Sequence, residues 1–273
     1  MKKKLFGLIA GSLTSIMLFP FGSCRKIEEL KVDLRNGNAD LKQCVIKEID
    51  FQFPAPQTFG ATQLKFTYNP NHDPVTMIPD FIDDGSPSRS FHYDKNGRLT
   101  QFVGLYLNGA FEFWHDYIYD REGRIVGDST YIFGQPGNLG AALTKLYSQL
   151  YYDRLNRIIK EIKSGDFNPP NHWDTLTYQY DAAGNLNGAS IQYDNNVNPL
   201  LTNKIWRFLG RDYSLNNSVK ATAFNEYRLP ILYSNSTGGF EMNQFEYNIS
   251  QETGLTIQYD CMNDLNAGIT QNE

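Results

Sequence analysis

One phrase recurs along this chain and dictates most of what it can fold into: an aromatic residue, any residue, Tyr, Asp, two polar residues, Gly, Arg and an aliphatic. The clearest copies run from Phe91 to Leu99 (Phe-His-Tyr-Asp-Lys-Asn-Gly-Arg-Leu) and from Tyr117 to Ile125 (Tyr-Ile-Tyr-Asp-Arg-Glu-Gly-Arg-Ile). Weaker copies begin at Tyr151-Tyr152-Asp153, where Asn156 stands in place of Gly, and at Tyr178-Gln179-Tyr180-Asp181. Eroded ones begin at Phe66-Thr67-Tyr68-Asn69 and Phe245-Glu246-Tyr247-Asn248.

In the good copies Asp opens and Gly closes a four-residue turn, the preference of a type I turn. Asp accepts a hydrogen bond from the backbone two residues on, and Gly takes the left-handed conformation that lets the second strand resume pairing. Each phrase therefore predicts a β-hairpin, and the alternating aromatics become a packing stripe on one strand face. Asp94, Asn96 and Gly97 lack the longer run of oxygen ligands that a calcium loop needs.

The first 23 residues read as a targeting segment. Lys2, Lys3 and Lys4 precede an apolar run from Leu5 to Phe19, and Phe21-Gly22-Ser23 leads into Cys24. The run is too short for a stable span. Gly-Ser before Cys is the pattern of a bacterial lipoprotein signal, with Cys24 lipidated as the first mature residue; the alternative is an ordinary secretory signal with Cys24 a bystander. The expected address is the bacterial cell envelope, anchored to the outer membrane by lipid. Residues 24–43 read as a tether, 44–262 as a single domain and 263–273 as a tail. Without residues 1–23 the chain keeps 22 basic against 30 acidic residues, a net charge of −8. Such a chain has no electrostatic case for binding nucleic acid.

Besides Cys24 there are Cys44 and Cys261. In an oxidising compartment such a pair forms a disulfide candidate that would staple the first strand to the last. The alternative is two buried free thiols. Metal binding by two such distant thiols without a nearby His is not expected.

Strand candidates begin at Cys44–Phe53 and Thr62–Asn69, then run on through Val75–Ile82, Arg89–Tyr93, Arg98–Leu107, Phe111–Tyr119 and Arg124–Phe133. Asn108-Gly109 is a strong two-residue hairpin signal. Beyond the Gly-rich 134–144 segment come Leu146–Asp153, Arg157–Lys163, Trp173–Tyr180 and Leu186–Tyr193. Asn198–Gly210 predicts a helix, with Asn198 as N-cap, Pro199 at the first position, Gly210 near the C-cap and Leu201, Ile205, Phe208 and Leu209 on one stripe. Strands at Val219–Phe224, Leu229–Ser234, Phe240–Tyr247 and Leu255–Asp260 complete the chain. The fold class is all-β: an antiparallel up-and-down meander curled into an open or closed barrel-like shell, with the 198–209 helix packed against it.

The phrases at Tyr93–Leu99 and Tyr119–Ile125 resemble the YD repeats of Rhs-type proteins. The chain as a whole resembles a family of Bacteroidetes-type lipoproteins of unknown function that carry degenerate YD repeats and a porin-like fold. Cys44-Val45-Ile46, Asn198-Pro199, Leu215-Asn216-Asn217 and Tyr259-Asp260-Cys261 carry that resemblance, over most of residues 44–261. Departures are Asn156 for Gly and Asn248 for Asp. The resemblance brings no catalytic residues. Unlike a membrane barrel, these strands show no clean outward apolar band, so a tethered soluble domain is expected.

A search for chemistry finds little. His72, His92, His115 and His172 show no metal-ligand spacing, and no nucleophile elbow, phosphate loop or dinucleotide fingerprint appears. His115-Asp116 are adjacent and so face opposite ways on a strand; Asp83-Asp84 sit in a loop. No catalytic residue, metal or cofactor is assigned. Trp114, Trp173 and Trp206 are the candidate ligand-binding residues, able to stack on sugars or enclose an apolar ligand, or else to fill the core. The expected function is non-catalytic binding, with a glycan or another envelope protein as partner. A structural scaffold is the alternative, and a glycan hydrolase the third. A local function is expected where the phrase breaks down: the 134–144 segment, the Pro-Pro loop near Trp173, or the helix at Asn198.

Overall fold

The Asp-to-Gly phrases all close their hairpins by one mechanism. In the computed structural model, Asp94 N donates to Arg98 O at 2.9 Å and Gly97 N to Asp94 O at 3.0 Å. Asp94 Oδ1 meanwhile accepts from the backbone of Asn96 and Arg98. Gly97 sits at φ 74°, where a residue without Cβ carries no steric cost. Asp120 and Asp153 repeat the pattern, with Gly123 at φ 78° and Asn156 at φ 58° in the left-handed position. So do Asn69, with His72 at φ 64°, and Asn225, with Arg228 at φ 62°. The Asn225 copy, Phe224-Asn225-Glu226-Tyr227-Arg228-Leu229, is absent from the sequence reading because Arg holds the glycine position.

The structure describes residues 34–41, 43–51, 62–82, 86–165, 173–188, 192–217, 221–233 and 254–261. Thirteen strands fall within them: β1 (Cys44–Phe51), β2 (Gln63–Tyr68), β3 (Pro74–Pro79), β4 (Ser88–Tyr93), β5 (Leu99–Leu105), β6 (Phe111–Tyr119), β7 (Ile125–Gly134), β8 (Thr144–Tyr152), β9 (Ile158–Gly165), β10 (Asp174–Thr177), β11 (Ala221–Phe224), β12 (Pro230–Tyr233) and β13 (Leu255–Cys261). They form one antiparallel sheet in the order β10-β9-β8-β7-β6-β5-β4-β3-β2-β1-β13-β12-β11. The sheet is open, with β10 and β11 as its edges. Its seam is the β1–β13 pair, where Cys44 lies opposite Cys261 and the two form a disulfide across 217 residues.

Two ends of the sheet differ in kind. The Asx turns at Asn69, Asp94, Asp120, Asp153 and Asn225 share one end, here the turn end. The described connections 106–110 and 135–143, with the C-terminal ends of β1, β3, β9 and β12, share the other, the loop end. The turn around Asn108-Gly109 lies at the loop end and corrects an expectation. Tyr106 N pairs with Ala110 O and Gly109 N with Tyr106 O, so it is a four-residue turn with Gly109 at φ 83°, not a two-residue hairpin. Only the glycine is left-handed, whereas the two-residue type I′ turn needs both central residues there.

The phrase also locks each hairpin to the next. Asp94 Oδ2 orients Arg98 through Nε at 2.8 Å, which places the guanidinium 5.0 Å from the centroid of Tyr119 in the following copy. The Tyr119 hydroxyl donates back to Leu99 O at 2.8 Å. Arg124 and Arg157 lie over Tyr152 and Tyr180 at 5.3 and 4.1 Å, and those hydroxyls donate to Ile125 O and Ile158 O. Removing the Asp therefore strips two backbone N–H groups of their acceptor and frees the Arg. Asp120→Ala is expected to cost about 1–2 kcal/mol in urea unfolding, and Asp120→Asn clearly less. An Ala variant as stable as the parent would show that Gly123 alone holds the turn.

Side chains on the concave face form the core, closed by the segment 192–217. Asn198 caps a short 3-10 turn at Pro199–Thr202, as its spacing predicts. The helix does not run on to 209, because the Asn203 side chain accepts from Ile205 N and starts a second element, α1 (Lys204–Gly210). Arg211, left-handed at φ 52°, ends α1 in place of Gly210. Asn203 also donates to His72 O at 2.9 Å, tying this junction to the first Asx turn. Trp206 packs edge-on against Phe66 and Phe91, both at 5.6 Å, and Phe208 against Tyr117 at 5.2 Å.

Leu186–Tyr193 is not a strand in its described part. Leu186 makes one bridge to Tyr180, then its N–H turns to Ser214 Oγ at 2.9 Å. The Leu215-Asn216-Asn217 stretch is part of the core closure: Asn216 and Asn185 exchange hydrogen bonds, and the Tyr233 hydroxyl donates to Asn217. The expected signal peptide, Cys24, the Phe240–Tyr247 strand, the 245–248 copy, Asp83-Asp84, the Pro-Pro loop and His172 lie outside the described residues.

Candidate functional site

Strand alternation sends every second residue of the sheet to its convex face, and most of these are Ser, Thr, Gln or charged. One exception spans β6, β7 and β8. Trp114 lies opposite Tyr131, Asp116 opposite Ser129, and Ile118 opposite Gly127; across the next pair Ser129 faces Tyr147 and Gly127 faces Gln149. Neighbouring strands are roughly 4.8 Å apart, so Trp114 and Tyr131 lie side by side, and Tyr147 stands one register step off on β8 with its hydroxyl leaning toward Gly127 and away from Tyr131, which makes an aromatic row broken at its third member.

The row is held in place by what surrounds it. Trp114 stacks edge-on against Phe111 at 5.9 Å and lies beside Val103, both 1 % exposed yet outside the concave core clusters. Its indole N–H donates to Asp116 Oδ1 at 3.2 Å, which also accepts from Gln101 Nε2 at 2.9 Å. Gly127 provides the floor: a Cβ there would stand 3.2 Å from both the Tyr147 hydroxyl and Ile118 Cβ. Its absence lets the Tyr147 phenol lie across the strand toward Ile118, which is 52 % exposed. Flat aromatic area flanked by a carboxylate and amides suits a ligand with one apolar face and equatorial hydroxyls.

The structure does not bring the three tryptophans together. Trp173 is 52 % exposed beside edge strand β10, at the loop end. Trp206 is 1 % exposed between Phe66 and Phe91, so its ring has no face left for a ligand and it serves the core. The sequence carries no local signal for Tyr131, Tyr147 and Gly127, because their placement relative to Trp114 depends on strand register. The histidines scatter as well: His92 meets Ser90, His72 closes a turn, and His115 points into the concave face.

Beneath the sheet lies a buried ionic cluster. Arg211, just past α1, reaches Glu161 of β9 at 3.4 Å and Asp128 of β7 at 3.8 Å. Asp128 also contacts His115 Nδ1 at 2.9 Å and Thr130 Oγ1 at 3.2 Å. Glu161 accepts from Tyr178 at 3.2 Å and pairs with Lys163 at 3.6 Å. Burial pushes both carboxyls up, but contact with His115 and the charge of Arg211 leave Asp128 lowered, and Arg211 and Lys163 leave Glu161 lowered. Two ionised carboxylates spent on one guanidinium anchor the core closure to the sheet; neither is poised as a proton donor.

At the turn end a cleft of about 330 Å³ opens between Arg98, Arg124, Tyr119, Tyr152, Lys204 and Tyr213. Asp94 and Asp120 already engage its two guanidinium groups at 2.7 and 2.8 Å. Among the described residues no group of three or more His, Cys, Asp or Glu is arranged to hold a metal ion. No helix among them is long and apolar enough to cross a membrane.

No protein-family model matches the chain, and no curated protein matches it. Among solved structures, one chain of the crystal structure of TcdB2-TccC3-Cdc42 is similar over 50 % of this chain, at 15 % identity and a TM-score of 0.21. The match covers 8 % of that chain's length.

Proposed function

We propose that this protein is a non-catalytic carbohydrate-binding module of the bacterial cell envelope, tethered to the outer membrane through lipidated Cys24. The observation that carries the reading is the cross-strand pair Trp114 and Tyr131, with Tyr147 on the next strand, on a convex face whose other residues are mostly Ser, Thr, Gln or charged. The tether rests on the Lys-rich start, the short apolar run and the Gly-Ser-Cys approach, and the Bacteroidetes-type family on the residues that resemble it. A structural scaffold is the second reading, favoured by the concave side being filled by the 192–217 segment.

Affinity electrophoresis of the purified protein through a panel of polysaccharides tests the module. At least one glycan class should retard the parent, and Trp114→Ala or Tyr131→Ala should weaken that retardation about tenfold or more, the equivalent of one lost stacking contact at roughly 1.4 kcal/mol. Trp114→Phe, which still covers Val103 and Phe111, should retain most of it. Absence of retardation by every class would remove the carbohydrate reading and leave the scaffold.

A further inference from the structure

The loop end carries a second surface, independent of the aromatic row. Among the described residues, four of its connections present large exposed apolar side chains: Phe81 after β3, Leu107 after β5, Phe133 and Leu143 around the β7–β8 loop, and Trp173 before β10. Leu107 is 82 % exposed and Leu143 74 %, more than any other large apolar residue described. Phe133 keeps a left-handed φ of 52°, a conformation unfavourable for a bulky residue, and remains 48 % exposed.

Three features of these tips select their partner. Consecutive connections are two strands apart, roughly 10 Å, so the apolar groups are distributed along the end, Phe133 and Leu143 together and Phe81, Leu107 and Trp173 each at another connection. Their described connections hold no Lys or Arg, whereas the turn end carries Lys95, Arg98, Arg121, Arg124, Arg154 and Arg157. The backbone of the most exposed tips is partly paired within the tips themselves. Gly109 N bonds Tyr106 O, Tyr106 N bonds Ala110 O, Ala141 N bonds Asn138 O, Ala142 N bonds Leu139 O, and Leu143 N bonds Phe133 O, all between 2.9 and 3.1 Å. Each N–H already paired within a tip is one hydrogen bond that leaving water does not cost. A fluid lipid boundary can accept separated apolar tips one by one, and aromatic and Leu side chains are the residues that settle there.

We propose that the loop end docks onto an uncharged lipid surface by dipping Leu107, Phe133, Leu143 and Trp173 into the headgroup–acyl boundary. Such binding draws on apolar burial and not on charge. The test uses the chain beginning at residue 24 with Cys24→Ser, so that no acyl group contributes, co-sedimented with phosphatidylcholine vesicles. The expected result is measurable partition that persists in 1 M NaCl and falls at least tenfold in the Leu107→Asn/Leu143→Asn double variant, whose near-ultraviolet circular dichroism should match the parent. Arg121→Ala, at the opposite end, should partition like the parent. No partition by the parent, or equal partition by the double variant, overturns the proposal. So does a parent that sediments as a dimer and is made monomeric by the double variant without change in partition, which would assign the tips to a contact between copies.

Discussion

Replacing Arg211 with Met is expected to cost about 3–5 kcal/mol of stability at neutral pH, because it leaves Asp128 and Glu161 in the core with their shared cation gone. The variant should also respond to acid with the opposite sign. In the parent both carboxyls lie below their ordinary values, so their contribution is complete above the unfolded values near 4 and is lost as pH falls through the folded ones. Between pH 7 and pH 5 these two groups leave the parent's stability flat. Without Arg211, Asp128 keeps the His115 contact that does most to lower it, but Glu161 loses its largest lowering interaction and burial raises it; the folded state then binds a proton at Glu161 more tightly than the unfolded chain, and stability rises as pH falls from 7 to 5. Urea midpoints of both proteins at pH 7 and 5 read this directly. A variant midpoint that stays flat or falls over that interval would show that the carboxylates find other cations.

Removing the disulfide is the second large effect. Closing a loop of 217 residues lowers the entropy of the unfolded chain by an amount worth about 5 kcal/mol in the chain-entropy model. The Cys44→Ser/Cys261→Ser protein should lose a comparable amount, with native β1–β13 pairing retained where it folds. The same loss should follow reductant treatment of the parent, and reductant should leave the double variant unchanged. A double variant within about 1 kcal/mol of the oxidised parent would mean that pairing alone holds the seam, since removing a native bridge from a small secreted domain typically costs 2–5 kcal/mol.

What could be read from the sequence was whatever is local. The Asp94 and Asp120 turns are specified by residues four apart, so their chemistry stands in the letters, and Asn156 in place of Gly still reports a left-handed position. Asn108-Gly109 was misread because the dipeptide favours one turn in isolation while the pairing of Leu105 with Phe111 imposes another. The 198–209 helix was misread for a related reason: Asn203 fits helical spacing, but its short side chain caps the following turn better than it continues the preceding one. Arg211 carries the core's charge balance, but no local pattern marks it, since Asp128 and Glu161 lie 83 and 50 residues upstream. His115 stands beside Asp116 in the chain, but its partner is Asp128 across the sheet. The aromatic row is hidden likewise, because Trp114, Tyr131 and Tyr147 become neighbours only once register is fixed.

The seam sets the order in which this protein can be made. Ten strands, from β1 to β10, can pair with neighbours in the order in which they are made, since each closes against the strand just before it. One edge of β1 has no partner until Leu255–Cys261 arrives, and the bonds between them span the longest separations in the fold. Such non-local pairing is slow, and an uncovered strand edge is a template for wrong partners in the meantime. The chain is therefore most vulnerable to misassembly between the release of its first strand and its last, and oxidation of Cys44 with Cys261 marks the end of that interval.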